Sequence, residues 1–225
     1  MNHPMWLDNP AITAELLPAL GQTLLMTAFA ALISVLLGLP LGIWLWATAR
    51  GCLAPRPAVH RALSALVDLG RSIPFIILMI ALIPFTRFMV GTALGWQAAV
   101  VPLSVGAIPF FARLVEAALR DVPHGKVEAV QMMGAANGQI IRQVMVPEAL
   151  PGLISGATVT AVTLVSYTAM AGAVGGGGLG ALAISYGYQR YQSDVMIACI
   201  ALLVLVVVAI QFAGDRLARL ADHRR

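Results

Sequence analysis

The sequence predicts an all-α membrane protein with five transmembrane helices and a folded hairpin between the third and fourth of them. Hydrophobic residues make up 60% of the 225 residues and charged residues only 11%, whereas roughly a quarter of a soluble domain is charged. Several charge-free runs are longer than the roughly 20 residues needed to cross a bilayer core. One long polar segment, residues 122–147, keeps apolar residues at helical spacing. We interpret the chain, 1–225, as one domain.

The first three spans are predicted at residues 22–48, 63–86 and 88–112, with the second span as one helix. That helix would hold Asp68 and Arg71 three residues apart on the same face. One interpretation of the two charges is a local ion pair near the membrane surface. The other is a site on a transport path, because charges within a membrane are costly and are usually functional. The sequence leaves both open.

The last two spans come from the longest uncharged run and from the apolar run after it. Residues 149–189 carry no charge, but four consecutive glycines at 175–178 interrupt them. We therefore predict a fourth span at 152–173 and a short helix or re-entrant element at 179–188. The fifth span, 195–214, is nearly all Val, Leu, Ile and Ala, which is typical of a helix that faces lipid.

Five spans place the chain ends on opposite sides of the membrane, and the basic residues indicate which side is which. If the link after the first span is cytoplasmic, twelve of the fourteen Lys and Arg residues lie on the cytoplasmic side. Only Arg87 and Arg190 then lie outside. Cytoplasmic loops are enriched in Lys and Arg. This bias predicts an N-terminus outside, with the 122–147 segment and the C-terminus in the cytoplasm.

The polar 122–147 segment has the pattern of folded helices rather than of a loose loop. Gly134 and the Asn137-Gly138 pair interrupt the apolar periodicity, and Pro147 and Pro151 follow it. We predict two short amphipathic helices with a bend between them, closed by the prolines before the fourth span. A membrane protein that folds such a hairpin on one face is expected to present it to a partner. The apolar residues at helical spacing are Val127, Val130, Met133, Ile140, Ile141 and Val144.

The spacing of this segment resembles the signature of permease subunits of bacterial ABC importers. Glu128-Ala129-Val130 is followed by three residues and Gly134, and after nine further residues comes Val144-Met145-Val146-Pro147. The departures from the family pattern keep its apolar character. The resemblance implies a type I ABC importer permease fold in which the segment docks into a cytoplasmic ATPase and transmits its motion. The residues expected to couple to that ATPase are Glu128, Ala129, Val130, Met132, Met133, Gly134, Val144 and Pro147.

Longer strings resemble the methionine-importer permeases within the family of binding-protein-dependent inner-membrane transport components. These include RSIPFIIL at 71–78, SYTAMAGAVGGGGLG at 166–180 and QFAGDR at 211–216. The resemblance extends over about 20–219 and implies a homodimer on a homodimer of the ATPase subunit. It also implies a periplasmic or lipid-anchored methionine-binding protein. The resemblance further implies that the chain lies in a bacterial inner membrane, with a periplasmic N-terminus and a cytoplasmic C-terminus. No cofactor would bind this chain, because ATP and Mg would be held by the ATPase.

The fourth span carries most of the uncharged polar groups within the membrane. Ser166 and Met170 are four residues apart and share a helical face. Met170 and the adjacent Tyr167 match positions that the family places along the translocation pathway or at its gate, and we predict that Ser166, Tyr167 and Met170 line this pathway. Thr158 and Thr160 are interpreted differently, as packing residues whose hydroxyls bond to carbonyls one turn earlier.

Other motifs are weak. The four histidines, His3, His60, His124 and His223, are scattered and predict no metal site. The glycines at 175–178 lack the Lys-Ser/Thr of a phosphate loop. No nucleophile and base can be assembled, so the chain is predicted to be a transport subunit and not an enzyme, and no nucleic acid is expected as a partner.

Three alternatives to a methionine importer remain open. The chain could import another small amino acid or a methionine derivative, since a binding protein can select the substrate. An ion-coupled secondary transporter would need acidic residues within its spans, and Asp68 is the only candidate. A membrane scaffold would need neither a pore nor a coupling element.

Overall fold

The computed structural model describes residues 9–222, and this part of the chain is helical throughout apart from its connections. The first long helix, α1, follows a π-helical turn, and π-helical turns also precede α8 and follow α9. Four stretches are long and apolar enough to span a membrane, and a bent pair of shorter helices makes up to five. The predicted all-helical membrane fold is thus confirmed. The helices are α1 Leu16–Ala47, α2 Pro57–Ser72, α3 Phe75–Ala81, α4 Ile83–Val90, α5 Trp96–Arg120, α6 His124–Met132, α7 Asn137–Ile140, α8 Val146–Ala173, α9 Gly178–Leu182 and α10 Ser193–Ala221.

The second span is broken, so the prediction of one helix over 63–86 is wrong. The chain bends by 98° between α2 and α3. The cause is Pro74, which lacks an N–H and forces the preceding residue out of the helical region. Ile73 is accordingly extended, with ψ of 124°. A second break at Leu82 precedes α4, in which Pro84 occupies the first turn.

The third span begins at Trp96, so the predicted start at residue 88 is wrong. Residues 88–90 belong instead to α4, which ends at Val90 and is capped by Gly91. Gly91 and Gly95 both have positive φ, of 81° and 91°, a conformation that glycine adopts without steric cost; at Gly91 it ends the helix. The chain therefore turns over residues 91–95 before α5.

The second helix of the 122–147 segment does not end before the fourth span. α7 runs through a π-helical turn, Ile141–Met145, directly into α8. The predicted closure of the hairpin at Pro147 is therefore wrong. A π-helical turn is wider than an α-turn, and its position just before Pro147 accommodates the proline ring, which would otherwise clash with the turn before it. The bend between α6 and α7 lies at Gly134, with φ of 81°.

α1 and α5 pack closely through small residues and form the centre of the bundle. A Cβ added at Gly38 would lie 2.9 Å from Cδ1 of Phe111, and one at Gly42 would lie 2.6 Å from the carbonyl oxygen of Ala112. Small residues let helix backbones approach in this way. These contacts fix the two helices relative to each other.

The glycine-rich loop after α8 is held by hydrogen bonds to α1 and to the turn that precedes α5. The amide of Gly178 donates to Oε1 of Gln22 over 2.8 Å, and the amide of Leu179 donates to Oγ1 of Thr23 over 2.9 Å. The amide of Gly95 donates to the carbonyl of Gly175. The predicted short helical element follows as α9 and a π-helical turn, Ala183–Tyr188.

Candidate functional site: the 122–147 segment and the faces of α8

The 122–147 segment presents an exposed apolar tip. The side chains of Met132 and Met133, next to the bend at Gly134, are 89% and 84% exposed. Exposed apolar groups of this size on a polar segment mark a contact surface. Methionine is also suited to irregular interfaces because its side chain is flexible and polarizable. Glu128 and Ala129 are exposed on the same helix, α6.

The other side of the segment belongs to the hydrophobic core. Val127, Ile140 and Met145 are buried and form one cluster with Trp46 of α1 and Phe111 of α5. A segment packed in this way is part of the core and is not an independent loop. Its apolar packing joins the exposed tip to α1 and α5 through continuous contacts.

Polar bonds reinforce this packing at three places. The side-chain amide of Asn137 donates to the carbonyl of Leu53 over 3.2 Å, which ties α7 to the link after α1. Lys126 and Glu148 form an ion pair of 2.6 Å across the base of the segment. The side chain of Gln139 accepts a hydrogen bond from the backbone of the residue before α7, which satisfies an otherwise unpaired N–H at a helix start.

The structure separates the eight residues predicted to couple to an ATPase into two groups. Val130 is half-buried and packs against the core cluster, and Val144 is also half-buried. These two face inward or partly inward and help to hold the segment. The exposed ones are Glu128, Ala129, Met132, Met133, Gly134 and Pro147.

A charged cluster that the sequence did not predict joins α2 to α5 just before the segment; we call it the Arg113 clasp. The Arg113 guanidinium binds Asp68 of α2 at 2.7 Å and Glu116 at 2.6 Å, and it also donates to Ser64. Arg120 binds the other oxygen of Glu116 at 2.7 Å, and these two residues are four positions apart on α5, a spacing at which oppositely charged side chains meet on a helix. Glu116 is only 3% exposed.

Asp68 therefore does not pair with Arg71, and the interpretation of the two as a local ion pair is wrong. The two residues that do pair lie 45 positions apart in the sequence. Local spacing carries no information about such a pair, although Arg113 and Glu116 stand at i and i+3 and could have been found. Burial of Glu116 makes the cluster important, because removing one partner of a buried pair leaves a charge without compensation.

On α8, Ser166 and Met170 share one open face, as their spacing predicted. Both are exposed and line an apolar groove of about 640 Å³ together with Ile76 of α3 and with Val204 and Val208 of α10. Its walls carry no charged side chain. A groove of this kind offers no strong electrostatic attraction to a polar solute.

Tyr167 faces a different side of α8 from its two neighbours. Its ring stacks on Phe75 of α3, with centroids 4.4 Å apart and planes at 4°. It lines a smaller pocket of about 210 Å³ at the break between α2 and α3. The three residues predicted for the pathway are thus divided between two cavities.

The hydroxyls of Thr158 and Thr160 donate to the carbonyls of Ile154 and Gly156 over 2.9 and 2.8 Å. These bonds to the preceding turn confirm the predicted packing role. Within residues 9–222, no group of three His, Cys, Asp or Glu residues has the arrangement of a metal site. His3 and His223 lie outside the described residues.

Comparison with known proteins gives one family and several close relatives. A family model described as "Binding-protein-dependent transport system inner membrane component" matches residues 38–225. The probable D-methionine transport system permease protein MetI of Vibrio cholerae is 53% identical over 93% of both chains. The methionine import system permease protein MetP of Bacillus subtilis is 47% identical over 80% of this chain and 81% of its own.

The fold is also found in solved structures. A structure of the MetNI methionine ABC transporter in an inward-facing conformation contains a chain that superimposes with a TM-score of 0.91. That chain is 49% identical, and the match covers 93% of this chain and 98% of the other. An amino acid ABC transporter solved with histidines shares the fold, with a TM-score of 0.78 at 18% identity.

Proposed function

Because this chain belongs to the family of binding-protein-dependent transport system inner membrane components, we propose that it is the membrane-spanning subunit of an ATP-driven methionine importer. The observation that carries the proposal is the double nature of the 122–147 segment. Its tip exposes Met132 and Met133, while its other side is packed into the same core as α1 and α5. Such a segment can receive motion from a partner and pass it to the spans.

The proposed partner at this tip is a cytoplasmic ATPase homodimer, on which ATP and Mg bind and ATP is hydrolysed. This chain then performs no chemistry of its own. A homodimer of the chain places its pore on the two-fold axis, the commonest symmetry of oligomers. A periplasmic or lipid-anchored binding protein delivers methionine from outside. The relatives named for methionine transport support the substrate, and the similarity to a chain of the MetNI methionine ABC transporter supports the pairing with an ATPase.

The proposed cycle is alternating access. ATP closes the ATPase dimer, the two 122–147 segments approach each other, and the spans rock between inward-facing and outward-facing states. Arg71 lies beside the break in the second span, and eleven of the other thirteen basic residues fall on one side of the predicted spans. This bias supports a cytoplasmic 122–147 segment and C-terminus and a periplasmic N-terminus.

The proposed pathway runs beside α8. Ser166 and Met170 line an open groove, and Tyr167 lines the pocket behind it. An uncharged groove suits a zwitterion that must be released quickly, and selection can then rest with the binding protein. An importer of another small amino acid or of a methionine derivative would use the same features, and competition experiments distinguish these substrates.

An ion-coupled secondary transporter is disfavoured by the Arg113 clasp. Asp68 is the acidic residue that the sequence offered for ion coupling, and the Arg113 guanidinium holds it at 2.7 Å. A carboxylate paired with a fixed cation is poorly placed to bind and release a coupling ion. The exposed tip of the 122–147 segment would also have no role in such a protein.

The test is methionine uptake into proteoliposomes that contain this chain, its ATPase and its binding protein, with and without ATP. We expect ATP-dependent accumulation that is lost in Gly134→Trp, because φ of 81° at Gly134 is strained for any other residue. Gly21→Trp is the matched control, since a Cβ at Gly21 would meet no atom within 4 Å. Uptake driven by an ion gradient without ATP would contradict the proposal. ATPase binding without methionine uptake would keep the importer class and change the substrate.

A further inference from the structure

We infer that Arg71 binds the carboxylate of the transported amino acid in the pocket at the break between α2 and α3. The inference rests on the proposed function and adds a binding site within the spans. The pocket has a volume of about 210 Å³, roughly the space of seven water molecules in the liquid. It therefore has room for the head group of a small amino acid. The Arg71 guanidinium lies 5.9 Å from the centre of the Phe110 ring, which forms part of the wall.

The Arg113 clasp is the reason that Arg71 is available. Asp68 stands three residues before Arg71 and would neutralise it if the two were paired, but both oxygens of Asp68 accept from Arg113. Among the described residues, Arg71 takes part in no ion pair. An arginine within a membrane protein that lacks a carboxylate partner in its own chain is expected to serve a ligand or a path.

The pocket lies at membrane depth rather than at the surface. Gly106 and Phe110 of α5 line it, and they follow Trp96, the first residue of α5, by ten and fourteen residues. At 1.5 Å per residue they lie about 15 and 21 Å along the helix, in a hydrocarbon core about 30 Å thick. The pocket therefore begins near the middle of the bilayer and extends toward the end of α5 that carries the 122–147 segment.

The irregular backbone beside Arg71 is consistent with a binding site. Ile73 is extended at the 98° bend and lines the pocket. Non-helical backbone at membrane depth is tolerated where it is buried in protein or lines a cavity. Transporters also place substrate sites near the midplane at broken helices. The break caused by Pro74 therefore also forms part of the wall of the proposed binding site.

The remaining walls suit the rest of an amino acid with a thioether side chain. The rings of Phe75 and Tyr167, stacked on each other, line the pocket. Aromatic faces attract ammonium groups, and aromatic rings make favourable contacts with thioether sulphur. A guanidinium binds a carboxylate through two parallel hydrogen bonds, which fixes the orientation of the ligand. The site therefore matches a zwitterion, whereas the groove at Ser166 and Met170 carries no charge.

The experiment is photolabelling of the intact complex of this chain with its ATPase in lipid nanodiscs. The probe is a diazirine analogue of methionine with free carboxylate and ammonium groups, and labelled peptides are mapped by mass spectrometry. We expect label on residues 70–78 and 106–110 and on Tyr167, which together line the pocket. In Arg71→Gln it falls about tenfold, the effect of one charge-assisted hydrogen bond, and in Arg71→Lys part of it remains.

Two controls make this result specific. Arg61→Gln removes another arginine of α2, one that donates a hydrogen bond to the carbonyl of Pro57 and does not line the pocket, and it should leave the label unchanged. Excess methionine competes with the probe in the wild-type complex, whereas methionine amide does not, because it lacks the carboxylate. The competition needs no variant, so it tests whether the site recognises the carboxylate even if the Arg71 variants fail to fold.

Three outcomes would overturn the inference. Label at other positions, or label insensitive to Arg71→Gln, would remove the site. Equal competition by methionine amide would remove the role of the carboxylate. Loss of the Arg71 effect in nanodiscs without anionic lipid would assign Arg71 to a lipid phosphate instead. ATP-dependent methionine uptake by the same preparation separates this failure from failure of the proposed function, since uptake with no label at the site leaves the importer intact.

Discussion

The α1–α5 pair and the broken span α2–α3–α4 are built in different ways. α1 and α5 pack backbone to backbone through Gly38 and Gly42, with no space for a side chain. The broken span is held by the Arg113 clasp, by the stack of Phe75 on Tyr167, and by a small number of buried apolar side chains, Val67, Phe75 and Met79. Close packing resists change over its whole length. The ion pairs and the stack are easier to exchange than such packing, so we expect the broken span to move more readily than the α1–α5 pair.

The largest effect is expected from breaking the rigid pair with Gly42→Leu. A Cβ at Gly42 would lie 2.6 Å from the carbonyl oxygen of Ala112, so the helices must separate. We expect a loss of about 3 kcal/mol or more in the free energy of unfolding, the upper end for an overpacked core. Unfolding by SDS in mixed micelles measures this. Gly21→Leu, on the same helix but in open space, is the control and should change stability little.

The second-largest loss of stability is expected from a substitution in the Arg113 clasp. Glu116→Gln keeps the shape of the side chain but removes a buried charge that binds two arginines. We expect a loss of about 2 kcal/mol in unfolding free energy, because charged partners are left unsatisfied. Asp68→Asn is the matched variant on α2, where the carboxylate is 56% exposed, and it should cost less than about 1 kcal/mol. Equal losses in the two variants would contradict the explanation that the cost follows the burial of Glu116 and the exposure of Asp68.

A smaller effect is expected from the aromatic stack. Tyr167→Leu removes one of two rings whose centroids lie 4.4 Å apart, and such pairs contribute about 1 kcal/mol beyond their buried area. Tyr167→Phe keeps the stack and should keep the stability. Thermal unfolding of the purified chain in detergent compares the two. If Tyr167→Phe is as unstable as Tyr167→Leu, the hydroxyl rather than the ring holds α3 against α8.

The sequence predicts those features of the fold that depend on local properties of the chain. Charge-free runs identify the long spans because length and hydrophobicity are local properties. The 122–147 segment was found because its spacing is local as well. Pro74 was not recognised as a break, because prolines inside spans do not always cause one, and α5 contains Pro102 and Pro109 without interruption. The difference lies in neighbouring helices that satisfy the freed carbonyls, which a single segment does not reveal.

The candidate site shows the same limit. The sequence predicted that Ser166 and Met170 share a face, since four residues make about one turn. It did not predict that the adjacent Tyr167 lines another pocket, because the positions of α3 and α10 decide what each face of α8 meets. The partner of Asp68 lies 45 residues away and was out of reach for the same reason. Long-range pairing, rather than the spans, is therefore what the structure adds.

The last prediction separates coupling from stability at the tip of the 122–147 segment. Met133→Asp, alone or with Met132→Asp, changes side chains that are 84% and 89% exposed. The unfolding free energy should therefore change by no more than about 0.5 kcal/mol. ATP-dependent uptake should nevertheless be lost, because a carboxylate placed in an apolar contact is desolvated without a partner. Leu220→Asp, an exposed apolar residue near the end of α10, is the control and should keep uptake. ATP hydrolysis and uptake are measured in the same proteoliposomes, and unchanged uptake in the double variant would place the coupling contact elsewhere on the chain.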